Sequence, residues 1–314
     1  MNGLPRVVFV LGKGGVGRST VAAALGLELA RQGRRTCVFG WSLADPIAPS
    51  FGAPPAGLDP RPVAPNLHVA NYRLDDTLEL YFVHHLRLPR LYRHVIRGAH
   101  VRKLIEAAPG IAELFFVGHI WWLTSLAASE AGLVFDHVIV DAPATGHGAS
   151  LFDIPGLLAS LRSAGLLALE TDRVTRMMAD PSWTGAMVVS LPEELSVEET
   201  LELVPRVSQR TGRRPLALLV NRSAGGADTD RWAPRLEALR ARLSPVARCG
   251  LDTVCAEFET RRRFEAALCS QLAGATVHGL VTLKEQLAVP GGHTPLDIVQ
   301  NLAAELGAAL GPHA

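Results

Sequence analysis

Residues 12–20 read GKGGVGRST, and their spacing is that of a turn built to grip phosphate. Gly12, four intervening residues, Gly17 and Ser19 satisfy G-x-x-x-x-G-K-[ST] at every position but one, where Arg18 stands in place of lysine. Gly12, Gly14, Gly15 and Gly17 allow successive backbone N–H groups to approach phosphate oxygens, and a helix starting there adds positive potential. Val16 completes the loop, the Ser19 hydroxyl has the position to hold a Mg²⁺ that bridges β- and γ-phosphates, and Thr20 offers a further phosphate contact. Arg18 keeps the charge but carries it on a planar fork and a longer stem, which cannot set a compact ammonium between those oxygens. Phosphoryl transfer depends on where charge sits in the transition state, so binding should suffer less than hydrolysis. Slow or absent hydrolysis at this chain's own site is expected.

A second stretch, FDHVIVDAPATGHGASLFDIP at residues 135–155, is an apolar run that ends on a carboxylate. Asp141 there suits support of Mg²⁺ or its water shell at a strand's C-terminal edge. Asn221 ends another apolar run in Val-Asn-Arg, and its amide has the donor and acceptor needed to read an adenine edge, while a guanine-selecting N-K-x-D is absent. The histidines between 84 and 119 lack metal-ligand spacing and read as surface or packing residues. Cys37, Cys249, Cys255 and Cys269 include no C-x-x-C pair, so neither a soft-metal site nor a disulfide framework is indicated.

These groups need elements to position them. Arg6 to Leu11 reads as a strand, then comes the glycine loop, then an alanine- and leucine-rich helix stopping at Gly33. Further strands are predicted near 36–39, 138–140, 186–191, 216–220 and 246–251, with helices between several of them. That alternation predicts an α/β fold with a mostly parallel sheet and helices on both faces. Ser196 and Glu199 have capping-box spacing for a helix that Pro205 should kink, and the proline-rich stretch 52–66 reads as an extended surface excursion. Segments 76–132 and 150–185 read as mainly helical insertions into a single domain of 314 residues, together forming a small helical cap. The cap is a packed subdomain on the simpler reading and a surface for an apolar protein client on the sharper one, where Met177-Met178 would supply adaptable contact.

Lys13, directly after the first glycine in G-K-G-G-V-G, resembles the deviant Walker A motif of dimeric ATPases such as the MinD, ParA, nitrogenase iron protein and ArsA groups. Asp141-Ala142-Pro143-Ala144-Thr145-Gly146-His147 resembles the D-T-A-P-T-G-H segment of the ArsA family, which includes arsenite-pump ATPases and the Get ATPase for tail-anchored proteins. Leu43-Ala44-Asp45-Pro46 is similar to its S-T-D-P switch, and Leu191-Pro192-Glu193-Glu194 with Glu198-Glu199-Thr200 to its T-x-P-E…E-T segment. The resemblance implies ATP or ADP with Mg²⁺ as ligands, Asp45 orienting or deprotonating the attacking water, His147 in a second switch, and Lys13 reaching nucleotide in a neighbouring subunit. That subunit would be an identical copy or a related ArsA-like ATPase; with Arg18 in its loop, this chain would be the catalytically weak half of a heterodimer.

The bulk properties narrow the rest. With 31 basic against 30 acidic residues the net charge is +1, which argues against broad nucleic-acid or anionic-membrane binding. The apolar window 111–128 is interrupted by Glu113 and His119 and reads as a buried helix, not an integral membrane segment. A reduced, cytoplasmic protein is expected. A ParA- or MinD-like organiser on DNA or membrane is the alternative from another class, but the stretch 295–310 lacks the lysines and arginines of a membrane-binding helix. A third alternative is a regulatory subunit that binds nucleotide without hydrolysing it.

Overall fold

The computed structural model describes residues 3–107, 110–125, 134–143, 150–154, 156, 167–223, 229–286 and 294–311. Eight strands form one sheet: β1 (Val7–Leu11), β2 (Thr36–Gly40), β3 (Arg61–Ala64), β4 (Leu67–Asn71), β5 (His137–Asp141), β6 (Thr184–Ser190), β7 (Ala217–Ser223) and β8 (Leu280–Lys284). Their order is β3-β4-β2-β5-β1-β6-β7-β8. Every pairing is parallel except β3 with β4, where Pro62 lies on the antiparallel edge strand. The chain is thus α/β with a mostly parallel sheet, as the alternation predicts.

The β1 sequence VVFVL is buried at every position because both faces of the sheet are covered. Successive side chains point to opposite faces, so Val7, Phe9 and Leu11 enter one core and Val8 and Val10 the other. The second core is filled by α1 (Arg18–Arg31), whose alanines and leucines pack closely, and by the terminal helix, which packs on α1 through Val299, Leu302, Ala303 and Leu306. That helix, Pro295–Leu310, starts from a capping box in which Thr294 and Asp297 satisfy each other's backbone amides.

The first core holds most of the aromatic side chains. Between β4 and β5 lie α2 (Leu74–Glu79), two π-helical turns, α3 (Ala99–Ala107) and α4 (Ile111–Thr124). The apolar α4 is a core helix: Phe116, Val117, Ile120 and Leu123 are buried, and Phe116 stacks on Phe39 with ring centroids 5.0 Å apart. Among the described residues no helix is long and apolar enough to cross a membrane. Leu88, Leu91 and Val95 of the same segment stay exposed. The helix before β6, α5 (Leu167–Ala179), puts Met177 and Met178 into the core, so this pair offers no adaptable surface.

Three local expectations are corrected. Residues 246–251 are not a strand; they open α8 (Pro245–Gln271), because Ser244 caps the Ala247 amide and Pro245 takes the first helical position. The strand beside β7 is β8 instead. The helix α6 (Glu194–Thr211) starts directly after Glu193, whose side chain makes no capping bond, and not after Ser196, and it runs through Pro205 while Val204 and Val207 pack on the core. Ser196 is buried inside its first turns, where its hydroxyl accepts from the Leu191 amide at 2.9 Å and meets the Ser190 hydroxyl at 3.1 Å. Between α6 and α8, α7 (Thr229–Arg242) follows β7.

His119 on α4 generates a test of this packing. Its ring lies 5.2 Å from Phe39 and 5.4 Å from Trp122, and burial lowers its pKa from 6.5 to about 3. The unfolded chain therefore takes up the proton first. Stability is full above the unfolded value and falls as pH drops toward 3, by ~1.4 kcal/mol per pH unit once well below that value. His119→Leu should flatten this dependence, leaving the share of His68 and His137, which burial also lowers. Urea midpoints at pH 7 and pH 5 check it, and an unchanged difference between the two would contradict the packing described.

Candidate functional site

All the strands that matter here are parallel, so their C-terminal ends share one rim of the sheet. β1 sits where the strand order turns, between β5 and β6, and the loop that follows it enters the crevice typical of such a point. Two glycines shape that loop. Gly17 caps α1 with φ 88°, a conformation costly for any residue with a Cβ. Gly12 also has positive φ, and a Cβ there would come within 2.4 Å of the Val189 carbonyl oxygen. Gly14 and Gly15 are exposed at the tip, Val16 is buried beneath it, and Ser19 and Thr20 start the helix, partly exposed.

Ser19 and Asp141, 122 positions apart in sequence, are brought into direct contact: the Ser19 hydroxyl donates to Asp141 Oδ2 at 2.5 Å. Burial raises the Asp141 pKa, opposed by the Ser19 hydrogen bond and the Arg18 charge, and the Asp45 charge adds to the rise. The other carboxylate oxygen, Oδ1, is buried and has no hydrogen-bond partner among the described residues. A hydroxyl and a carboxylate with spare acceptor capacity are hard oxygen donors, which fit Mg²⁺ and not a soft metal. The backbone cradle and this pair therefore suit a magnesium-bound phosphate.

Arg18 is also directed at β5. Its guanidinium donates to the Ala142 carbonyl, and burial lowers its pKa while Asp141 pulls it back up. One arm of the fork is thus spent on the backbone just past the strand. Asp45 is 6% exposed and lies close to a turn: its carboxylate accepts from the amides of Ile47 at 2.8 Å, Ala48 at 3.3 Å and Ala56 at 2.8 Å. These bonds hold the 3₁₀ turn Ala48–Phe51 and leave the carboxylate fully engaged in this conformation.

Lys13 is near the loop tip, where its ammonium pairs with Glu199 of α6 at 2.8 Å. Asn221, near the end of β7, is 7% exposed; its Nδ2 donates to the Val16 carbonyl at 2.9 Å and its Oδ1 accepts from the Arg222 amide at 2.9 Å. Of the D-A-P-A-T-G-H run, Ala144, Thr145, Gly146 and His147 lie outside the described residues. The structure thus gathers Arg18, Ser19, Asp141 and Val16 with Asn221 around one loop, and gives Lys13 and Asp45 partners of their own.

Two contributors were not read from the sequence. Asn71, at the end of β4, accepts from the Ser42 amide and donates to the Ser42 carbonyl at 2.9 Å, fixing the start of the Asp45 loop. Its strand follows a proline-rich stretch, so no strand signal marked it. The buried hydroxyls of Ser190, Ser196 and Thr200 form a network that seats α6 and with it Glu199. Thr200 stands in the E-T segment of the sequence, whereas the bonds of Ser196 to Leu191 and Ser190 depend on how β6 meets the helix and leave no local signal.

Comparison with known proteins agrees with this arrangement. The sequence model of the anion-transporting ATPase family matches residues 5–164, the stretch from β1 past Asp141. Among curated proteins, the chain is 27% identical over 289 residues to ATPase BagA of Mycobacterium tuberculosis, covering 85% of this chain and 84% of that one. A putative arsenical pump-driving ATPase of Aquifex aeolicus is 26% identical over 60% of this chain and 47% of its own. An ASNA1 homolog of Paramecium tetraurelia is 27% identical over 48% and 44%. With the glycine loop, the Asp141 strand and the β1–β5 pairing that joins them inside the matched stretch, the chain belongs to the anion-transporting ATPase family, the ArsA group.

Proposed function

We propose that this chain is a nucleotide-switched subunit that holds ATP with Mg²⁺ in the Gly12–Thr20 loop, acts in a dimer, and hydrolyses slowly by itself. One observation carries the reading: Ser19 and Asp141 meet beside the loop, with a buried carboxylate oxygen still lacking a partner among the described residues. Ser19 and Asp141 would hold the ion, which when bound neutralises charge on the β- and γ-phosphates. The loop amides would bind the phosphates, with Thr20 adjacent, and α1 would add its N-terminal potential.

Slow turnover is supported by two contacts. Arg18 spends part of its fork on the Ala142 carbonyl, and Asp45 would have to release three amides before orienting a water. Both cost activation energy, and each ~1.4 kcal/mol is a factor of ten in rate. Action in a dimer is supported by Lys13. Its pair with Glu199 is partly exposed, with side-chain exposures of 33% and 52%, and such solvent-screened pairs are worth about 0–1 kcal/mol. The lysine is therefore held loosely enough to be exchanged for a phosphate oxygen of a second subunit.

Calorimetry with ATP should show affinity that depends on Mg²⁺, and Asp141→Asn or Ser19→Ala should lower it by about tenfold or more. No magnesium-dependent affinity in the unaltered protein would end this reading. Arg18→Lys should raise phosphate release about tenfold or more, since an ammonium is returned to the phosphates; equal rates would show that Arg18 is not what limits hydrolysis. Mixed with a related ArsA-like ATPase, the chain should raise that partner's turnover, and Lys13→Ala should abolish the gain. A gain that survives Lys13→Ala would exclude the cross-subunit role.

A further inference from the structure

The N-terminal ends of β2, β5 and β1 meet at the rim opposite the glycine loop, where Thr36 pairs with His137 and Val7 with Val138. Arg6, Arg34, Asp136 and His137, at or just before these strand starts, line a cavity of about 290 Å³, a size for a small ligand. Its charges are poorly matched from within. Arg6 lies over the Trp183 ring at 5.4 Å and gives the Phe135 carbonyl one long bond, at 3.4 Å. The exposed Arg34 guanidinium has no hydrogen-bond or ion-pair partner among the described residues. Asp136, the carboxylate of the lining, accepts from the Arg35 amide at 2.8 Å and forms no ion pair with either arginine among the described residues. Nδ1 of the buried His137 faces the Pro5 carbonyl at 3.0 Å, and since a carbonyl can only accept, the ring proton sits on Nδ1. Nε2 is then an acceptor, without a partner among the described residues. Burial lowers the pKa of this ring, helped by the charges of Arg34 and Arg6 and opposed by the Pro5 bond and Asp136, so it stays neutral at pH 7.

We propose that this cavity is a second anion site, distinct from the glycine loop, that takes inorganic phosphate in its hydrogenphosphate form between Arg6, Arg34 and His137. The two guanidinium forks match the ionised oxygens of a phosphate group. Nε2 requires something different, a donor on the ligand, and the P–OH of hydrogenphosphate supplies it. Asp136 acts in the same sense, because a carboxylate in the lining penalises a fully ionised ligand and tolerates one that still carries a proton. Sulfate has no proton to offer at neutral pH, and a phosphate ester loses its own above about pH 6. Two cations beside one acceptor therefore select by protonation as well as by charge. The site lies at the far end of the sheet from Ser19 and Asp141 and does not depend on nucleotide being bound there.

Calorimetry on the full chain, with inorganic phosphate, sulfate and glycerol phosphate as probes, should show phosphate bound about tenfold or more tighter than the other two. Arg34→Ala, at an exposed position where folding is not at stake, should weaken phosphate by about tenfold. His137→Asn keeps a donor for the Pro5 carbonyl but has no counterpart of Nε2, so it should weaken phosphate while leaving sulfate as it was. Hydrogen exchange locates the ion: phosphate should slow the amides at 34–36 and 136–138 and not those of residues 12–20. Protection confined to 12–20 would put the anion in the glycine loop and overturn the proposal. So would sulfate or glycerol phosphate binding as tightly as phosphate, an affinity that Arg34→Ala does not change, or no phosphate binding at millimolar concentration.

Discussion

The site is organised around a carboxylate, Asp141, buried at the end of a central strand. Leaving an ionised Asp141 in the interior without partners would cost several kcal/mol, and the chain meets this cost with a hydroxyl and a nearby guanidinium, both from the first turn of α1. The helix start is thereby pulled against β5, although β5 follows more than a hundred residues later. Gly17 must then take its left-handed conformation directly before Arg18, and the loop folds over Val16. The same electrostatic tension that makes the site expensive would favour the cation proposed to bind there.

Around that centre the rim is held by polar side chains from neighbouring strands. Asn221 reaches from β7 to the loop, Asn71 from β4 to Ser42, and Ser190 from β6 to the start of α6. In each case a residue near a strand's C-terminal end satisfies groups in the segment beyond, so rigid sheet geometry is transferred to irregular backbone. Asp45 and Lys13 differ from these: each is engaged by contacts within the chain that a phosphate or a water would have to compete with. Family membership gives the chain ATPases as relatives, and these engaged groups give a physical reason why its own chemistry would be restrained.

Much of this is legible in the sequence. The valine-rich strand, the glycine turn and the alanine-rich helix state their conformations directly, and the aspartate closing an apolar run announces a strand end at a ligand site. Long-range consequences were not legible. That Arg18 would turn toward Ala142, or that Asn221 would bond Val16, depends on strand order, which no local pattern contains. The strand predicted at 246–251 failed for another reason: its apolar residues suit either conformation, and the Ser-Pro start that favours a helix was outweighed by the expected alternation. β3, β4 and β8 carry no comparable strand signal: β3 lies inside the proline-rich stretch 52–66 that reads as a surface excursion, β4 directly follows it, and the long helix α8 precedes β8.

The proline in β3 has a consequence for how this protein meets other chains. A ring nitrogen cannot donate, so the border strand that carries Pro62, running against its neighbour, is a poor template for a foreign strand. Extension of the sheet from that margin is disfavoured. Contact with a second molecule along this flank is left to side chains and turns, surfaces that can be released as readily as they are engaged.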